Sequence, residues 1–275
     1  MLKIMFIIGS MMQASYTVAQ VKTVFSGSDT LSGVMTDAII AGGLEQQISY
    51  LGGGSGQGEK AIVAGEQGIA PMSREIKPEF NNQLKEQGVA LVPHVIALDG
   101  LGIFVNKNNL INGMDIGLIR KIFNCEITNW EMIPGSTIRG PINVYRRNDS
   151  SGTTDTFKHL VGIKKFGTCV VVLNETADIA TKTSQELSAI AYAGLSAKTD
   201  ENYPLNVASE GSTQMISPTA STVRDGSYPL SRKLFVYEVT GAKLPNKVEA
   251  QLLELLLDRS FIDPIIQDHE FFTID

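Results

Sequence analysis

The chain has 275 residues and a mass of 29.7 kDa, enough for one large domain or two of medium size. Hydrophobic residues make up 43% and charged residues 19%, which excludes a disordered chain. The net charge of −6 argues against a nucleic-acid partner, which would need a basic face.

Residues 1–19 carry one basic residue, Lys3, then an apolar run from Ile4 to Met12, then small residues at Thr17 and Ala19. This pattern predicts a cleavable secretory signal peptide cut after Ala19, and so a periplasmic location. The run is too short to span a membrane. Apolar and turn patterns then predict a strand at Val21–Phe25 and a helix at Leu31–Ala41, with Leu31, Val34, Met35, Ala38 and Ile39 on one face. A strand at Gln47–Leu51, a helix at Glu59–Ala64 and a strand at Gly68–Ala70 follow. Next come a helix at Pro78–Gln87, with proline at its start, and strands at Val89–Ile96 and Leu101–Val105.

A second unit opens after Asn106. It has helices at Ile116–Phe123, Thr153–Leu160 and Thr176–Thr183, and strands at Ile142–Tyr145, Val170–Leu173 and Leu187–Tyr192. Ser196–Tyr228 is polar and turn-rich and reads as a long surface connection. A strand at Leu234–Val239 and an apolar helix at Lys247–Leu257 should pack back on the first unit. The expected architecture is α/β, with a discontinuous first domain, two chain crossings and a cleft.

Cys125 and Cys169 are either a disulfide, which an exported protein permits, or a free buried pair; sequence leaves both open. His94, His159 and His269 share no metal-ligand spacing, and no cofactor motif occurs. The Gly53–Lys60 stretch fails as a nucleotide P-loop, because Glu59-Lys60 stands where Lys-Ser or Lys-Thr is needed.

Three glycine- and serine-rich loops each follow a strand and precede a helix: SGSDTLSG (26–33), LGGGSGQGEKAI (51–62) and YRRNDSSGTTDTF (145–157). A helix start carries free N–H donors and partial positive charge, which suits an anion. Each loop alone also fits a plain helix cap. The third adds Arg147, able to form a bidentate pair with an oxyanion, with Asp149 two residues on to hold its guanidinium. On chemistry alone an anion clamp and a capped helix behind two surface arginines are both open.

Taken together, the loops resemble the periplasmic phosphate-binding proteins of ABC transporters. GSDTL matches that family's first anion loop, and GGGSGQGEKAI with GIAPMSREI its second loop and following strand. ALDGLGIFVNKNN resembles its crossover, IRKIFNCEITNWEMI its Ile-Thr-Asn-Trp stretch, YRRNDSSGTTDTF its Arg-x-x-x-Ser-Gly-Thr loop, and DGSYPLSRKLFVY its return to the first lobe. The resemblance implies a two-lobed Venus-flytrap fold with two interdomain crossings. Lobe 1 would comprise 20–104 plus 229–275, and lobe 2 105–228. It implies a monomeric receptor, not an enzyme, that takes inorganic phosphate to a membrane permease. The implied contacts are Thr30, Leu31 (through its backbone N–H), Ser55, Arg147, Ser151, Gly152 and Thr153. One departure stands out: Arg74, after Ser73, meets the place where better-known members carry an aspartate that accepts the proton of hydrogen phosphate. Arginine only donates, so it is expected to bind the oxyanion without testing for a proton. Asp29 or another carboxylate would then be the acceptor. Two other functions stay in view. One is a receptor for another tetrahedral oxyanion, such as sulfate, arsenate or a metal oxyanion. The other is a secreted phosphate-ester hydrolase built on Ser151, for which the sequence supplies no nearby base.

Overall fold

The computed structural model describes residues 22–274; the expected signal peptide lies outside the described residues. The first elements are β1 (Thr23–Gly27), α1 (Ser32–Ala41), β2 (Ile48–Gly53), α2 (Ser55–Ala64), β3 (Ile69–Met72) and α3 (Pro78–Glu86). Then come β4 (Val89–Asn106), β5 (Gly113–Asp115), α4 (Ile116–Phe123), β6 (Asn143–Arg147), α5 (Gly152–Val161), β7 (Val170–Leu173) and α6 (Thr176–Gln185). The chain ends with β8 (Ala189–Gly194), β9 (Asn202–Pro204), β10 (Asn206–Ala208), α7 (Ala220–Arg224), β11 (Ser231–Gly241), α8 (Lys247–Leu257) and α9 (Arg259–Asp268).

A seven-stranded sheet runs in the order β3-β11-β4-β8-β6-β7, with β9 also paired to β4. β1 and β2 form a separate parallel pair. The strand that organises the molecule is β4. Its residues 89–100 pair antiparallel with β11, and its residues 101–106 pair with β8 and β9. The two strands expected at Val89–Ile96 and Leu101–Val105 are therefore one.

Two bodies form on this axis because the buried apolar faces segregate. One core joins Phe25, Val34, Met35 and Ala38 to Leu234, Leu252 and Ile262, and a neighbouring one joins Ile62, Ala70 and Met72 to Phe235 and Tyr237. The other body is centred on Leu101, Ile119, Phe123, Val144, Phe157 and Tyr192. The fold is the two-lobed α/β arrangement, and β4 and β11 carry the chain from one body to the other. The expected face of α1 is buried as its spacing requires.

Two features differ from the sequence reading. Ser196–Tyr228 is no plain surface connection. It holds β9, β10 and α7 and sends Leu205, Val207, Val223 and Tyr228 into the second core. The Tyr228 hydroxyl donates to Leu101 O at 2.8 Å. In addition, α9 forms despite Pro264 inside it, because Ile262 and Ile266 are fully buried against α1 and α8. The open cysteine question resolves to a Cys125–Cys169 disulfide with Cα atoms 6.0 Å apart, joining the end of α4 to the start of β7.

Candidate oxyanion site

Each of the three loops leads directly into a helix. A short 3-10 turn, Asp29–Leu31, leads into α1. Gly52, Gly53 and Gly54 all have left-handed φ (70°, 94° and 91°), the reversal that lets α2 begin at Ser55 directly after β2. A side chain at Gly54 would also strike Ser150 O, 2.5 Å from its Cβ position. In the second body, β6 ends at Arg147 and α5 begins at Gly152.

These helix starts meet. Thr30 Oγ1 lies 3.1 Å from Thr153 Oγ1, and Gly56 N donates to Ser150 O at 3.2 Å. Ser55 Oγ accepts from Ser73 N at 3.1 Å and faces Gly152, where a Cβ would come within 2.3 Å of it. So Thr30, Ser55, Ser151, Gly152 and Thr153 form one cluster, with Leu31 following in the same turn and fully buried. Leu31 N itself donates to Ser28 O at 3.1 Å.

The capping pattern separates these helices from most of the others. Asp115, Thr219, Asn246 and Asp258 cap α4, α7, α8 and α9 with their side chains, and at the start of α6 Asp178 accepts from Glu175 N at 3.1 Å. The N-cap residues of α1, α2 and α5 make no side-chain cap bond. (α3, which starts on Pro78, also has none.) At α5 no side chain therefore quenches the helix-end donors, whereas backbone carbonyls take Gly56 N of α2 (Ser150 O) and, ahead of α1, Leu31 N and Ser32 N (Ser28 O and Asp29 O).

Arg147 is the charged member of the cluster and is 1% exposed. Its Nη1 donates to Thr176 Oγ1 at 2.7 Å and its Nη2 to Asp29 Oδ2 at 2.5 Å. Asp29 also accepts from Gly53 N at 2.7 Å, so from the first loop it holds both of the others. The Arg147 Nε is buried with no protein partner. The expected Asp149 pairing goes elsewhere: Asp149 binds Arg146 at 2.7 Å, and that bond holds its carboxyl below the usual range. Alternation along β6 explains the difference, since neighbouring strand residues face opposite ways.

Arg74 is also placed differently from the expectation. Its terminal nitrogens bind Glu59 at 2.5 and 2.8 Å, and its Nε binds Asp155 at 2.9 Å. Burial alone would lower the Arg74 pKa, but Glu59 and Asp155 outweigh it and hold the guanidinium above its ordinary value. Glu59 is fully buried, so a carboxylate that needs a countercharge takes up the arginine fork.

Sequence reasoning missed Arg232. Its Nε and Nη2 hold the fully buried Asp99 at 2.9 and 2.6 Å, while Nη1 donates to Thr153 Oγ1 at 2.9 Å and Nη2 approaches Thr30 Oγ1 at 3.4 Å. A signal was available: Asp99 is the one acid inside the long apolar run of β4, and an acid in a core needs a cation as partner.

Comparison with known proteins identifies the family. The sequence profile of the PBP superfamily domain matches residues 14–258. The chain belongs to the PBP superfamily. Among curated relatives, the Pseudomonas aeruginosa phosphate-binding protein PstS is 29% identical over 264 residues, covering 88% of this chain and 80% of the relative. A Clostridium perfringens substrate-binding protein assigned to phosphate ABC transport and solved with bound phosphate superposes with a TM-score of 0.80. It is 24% identical, and the match covers 92% of this chain and 100% of the other. An ABC-type phosphate transport receptor from Vibrio cholerae gives a TM-score of 0.71 at 21% identity, with the same coverage. These superpositions show a shared two-lobed fold. No helix among the described residues is long and apolar enough to cross a membrane.

Proposed function

We propose that the chain is an extracytoplasmic receptor that captures inorganic phosphate between its two bodies and delivers it to an ABC transporter permease. The observation that carries the reading is the meeting of three helix starts without side-chain caps around the buried Arg147. Backbone N–H groups from both bodies, the hydroxyls of Thr30, Ser55, Ser151 and Thr153, and one guanidinium supply donors from several directions, as a tetrahedral oxyanion needs. Gly152 contributes through its backbone, and Leu31 does so only by sharing the N–H that it gives to Ser28 O. The binding reading assigns lobe 1 to 20–104 plus 229–275 and lobe 2 to 105–228, with export through the signal peptide and function as a monomer.

Asp29 supports phosphate over sulfate. It puts a carboxylate acceptor beside Arg147, and an anion that still carries a proton at neutral pH can donate to it. Sulfate offers no proton, and the carboxylate repels it. Binding rather than turnover is supported by the serines: no histidine or carboxylate hydrogen-bonds Ser55, Ser73 or Ser151 among the described residues. Arg74 acts in closure rather than as a ligand.

Calorimetry tests the reading. The wild-type chain should give a saturable heat with phosphate and none with equimolar sulfate. Arg147→Ala should lose the phosphate heat. A wild-type chain silent towards phosphate overturns the ligand assignment.

A further inference from the structure

Asp155 lies in the first turn of α5, past the donor cluster, and faces the other body. Arg74 Nε and Lys77 Nζ both reach its Oδ2 at 2.9 Å. The contact crosses the cleft: Met72 and Ile76, on either side of Arg74, pack in the first body, whereas Phe157 and Val161, just after Asp155, pack in the second. Thr156 Oγ1 adds a bond across the same seam, donating to Ser73 O at 3.3 Å. The seam borders a cavity of about 550 Å³ at the cleft mouth, walled by Arg74, Lys77, Asp155, His159 and Lys233.

The two sides of this contact are not equivalent. Glu59, on the same body as Arg74, grips both terminal nitrogens of the guanidinium and also accepts from Lys77 N at 2.8 Å. That grip lies within one body, so it fixes the arginine whether the cleft is open or shut, and it leaves Nε directed across the cleft. Asp155 has no such anchor; among the described residues its carboxylate meets only Arg74 and Lys77. Its ion pairs exist only when the bodies are together.

We propose that Asp155 sets phosphate affinity without touching phosphate, as a charge latch that favours the closed arrangement. This rests on the phosphate reading above. A ligand that bridges two bodies binds with an affinity scaled by the closed population, and a contact made only on closing shifts that population. The sign of the effect separates the latch from simple electrostatics. A carboxylate near an anion site repels the anion, so its removal through charge alone would tighten binding. Loss of the latch weakens it.

The test uses Asp155→Asn, because Arg74 variants would strand Glu59 without its partner in the core. Phosphate Kd and dissociation rate are measured by calorimetry and stopped flow, and small-angle scattering is recorded without phosphate. Kd should rise about threefold to tenfold, carried by the dissociation rate, and Asp155→Glu should restore it. Lys77→Met should cost less in the Asp155→Asn background than in wild type, the coupling expected of a direct pair. Unchanged or tighter phosphate binding overturns the proposal. If the wild-type chain binds no phosphate, the scattering decides: the variant should be more expanded than wild type, and identical profiles overturn the latch.

Discussion

Replacing Gly152 with alanine adds one methyl group at the seam between the bodies. Its Cβ would lie 2.3 Å from Ser55 Oγ, 2.6 Å from Ser73 Oγ and 2.9 Å from Ser55 Cβ. Unstrained contacts between carbon atoms sit near 3.5–4.0 Å, so the overlap approaches 1 Å. Ser55 cannot easily turn away, because its Oγ accepts from Ser73 N and both serines are fully buried. All three atoms belong to the first body and Gly152 to the second, so the clash exists only while the bodies are closed. Overpacking of this kind costs roughly 1–3 kcal/mol, which is about a 5- to 150-fold loss of affinity. Within the second body alone the change is benign. Gly152 is not one of the glycines with left-handed φ, and alanine is the better helix former by about 1 kcal/mol. Calorimetry should therefore show much weaker phosphate binding, while thermal unfolding without phosphate shows no loss of stability. Wild-type affinity in the variant would refute the reasoning, because Ser55 and Gly152 would then not meet when phosphate is held. A variant unfolding well below wild type without phosphate would refute it differently, by showing the contact to be permanent.

Two further outcomes concern stability. Asp99→Asn leaves Arg232 buried without its countercharge, at 3% side-chain exposure, and should lower the unfolding free energy by about 3–5 kcal/mol; an unchanged urea midpoint would contradict this. Replacing Cys125 and Cys169 together with serine removes a cross-link spanning 44 residues, worth about 4 kcal/mol by chain entropy, so Tm should fall by roughly 10 °C. Phosphate affinity should survive that change, since neither cysteine touches the donor cluster.

What the sequence made legible is what neighbouring residues decide among themselves. Helices Ile116–Phe123 and Lys247–Leu257 and strand Val170–Leu173 match the expectation residue for residue. The donor cluster was legible for the same reason: each third of it is a contiguous glycine-serine stretch ahead of an apolar helix. The break expected within β4 fails because Asp99 and Gly100 look like a turn when read locally. The charge that keeps Asp99 in a strand comes from Arg232, 133 residues later. The partners of the arginines were hidden likewise: Asp29 is 118 residues from Arg147, and Asp155 is 81 from Arg74. Strand alternation would have warned against Asp149, since Arg146 and Arg147 face opposite sides of β6.

The pairing of these arginines also explains how a chain of net charge −6 presents an anion site. Arg147, Arg232 and Arg74 each meet a carboxylate in or beside the cleft, namely Asp29, Asp99 and Glu59. Each pair is close to neutral seen from a distance, so no basic surface is needed and none is visible in the composition. At contact distance the pairs are far from neutral. Their carboxylates orient the guanidiniums, and the helix-end N–H groups beside them have no competing side-chain caps. The attraction is therefore short-ranged and directional. On the phosphate reading, an anion would gain it only by entering the seam and drawing donors from both bodies, so recognition is coupled to closure. Long-range steering, by contrast, falls off over a Debye length of about 8–10 Å at ordinary salt and plays little part in holding the ligand.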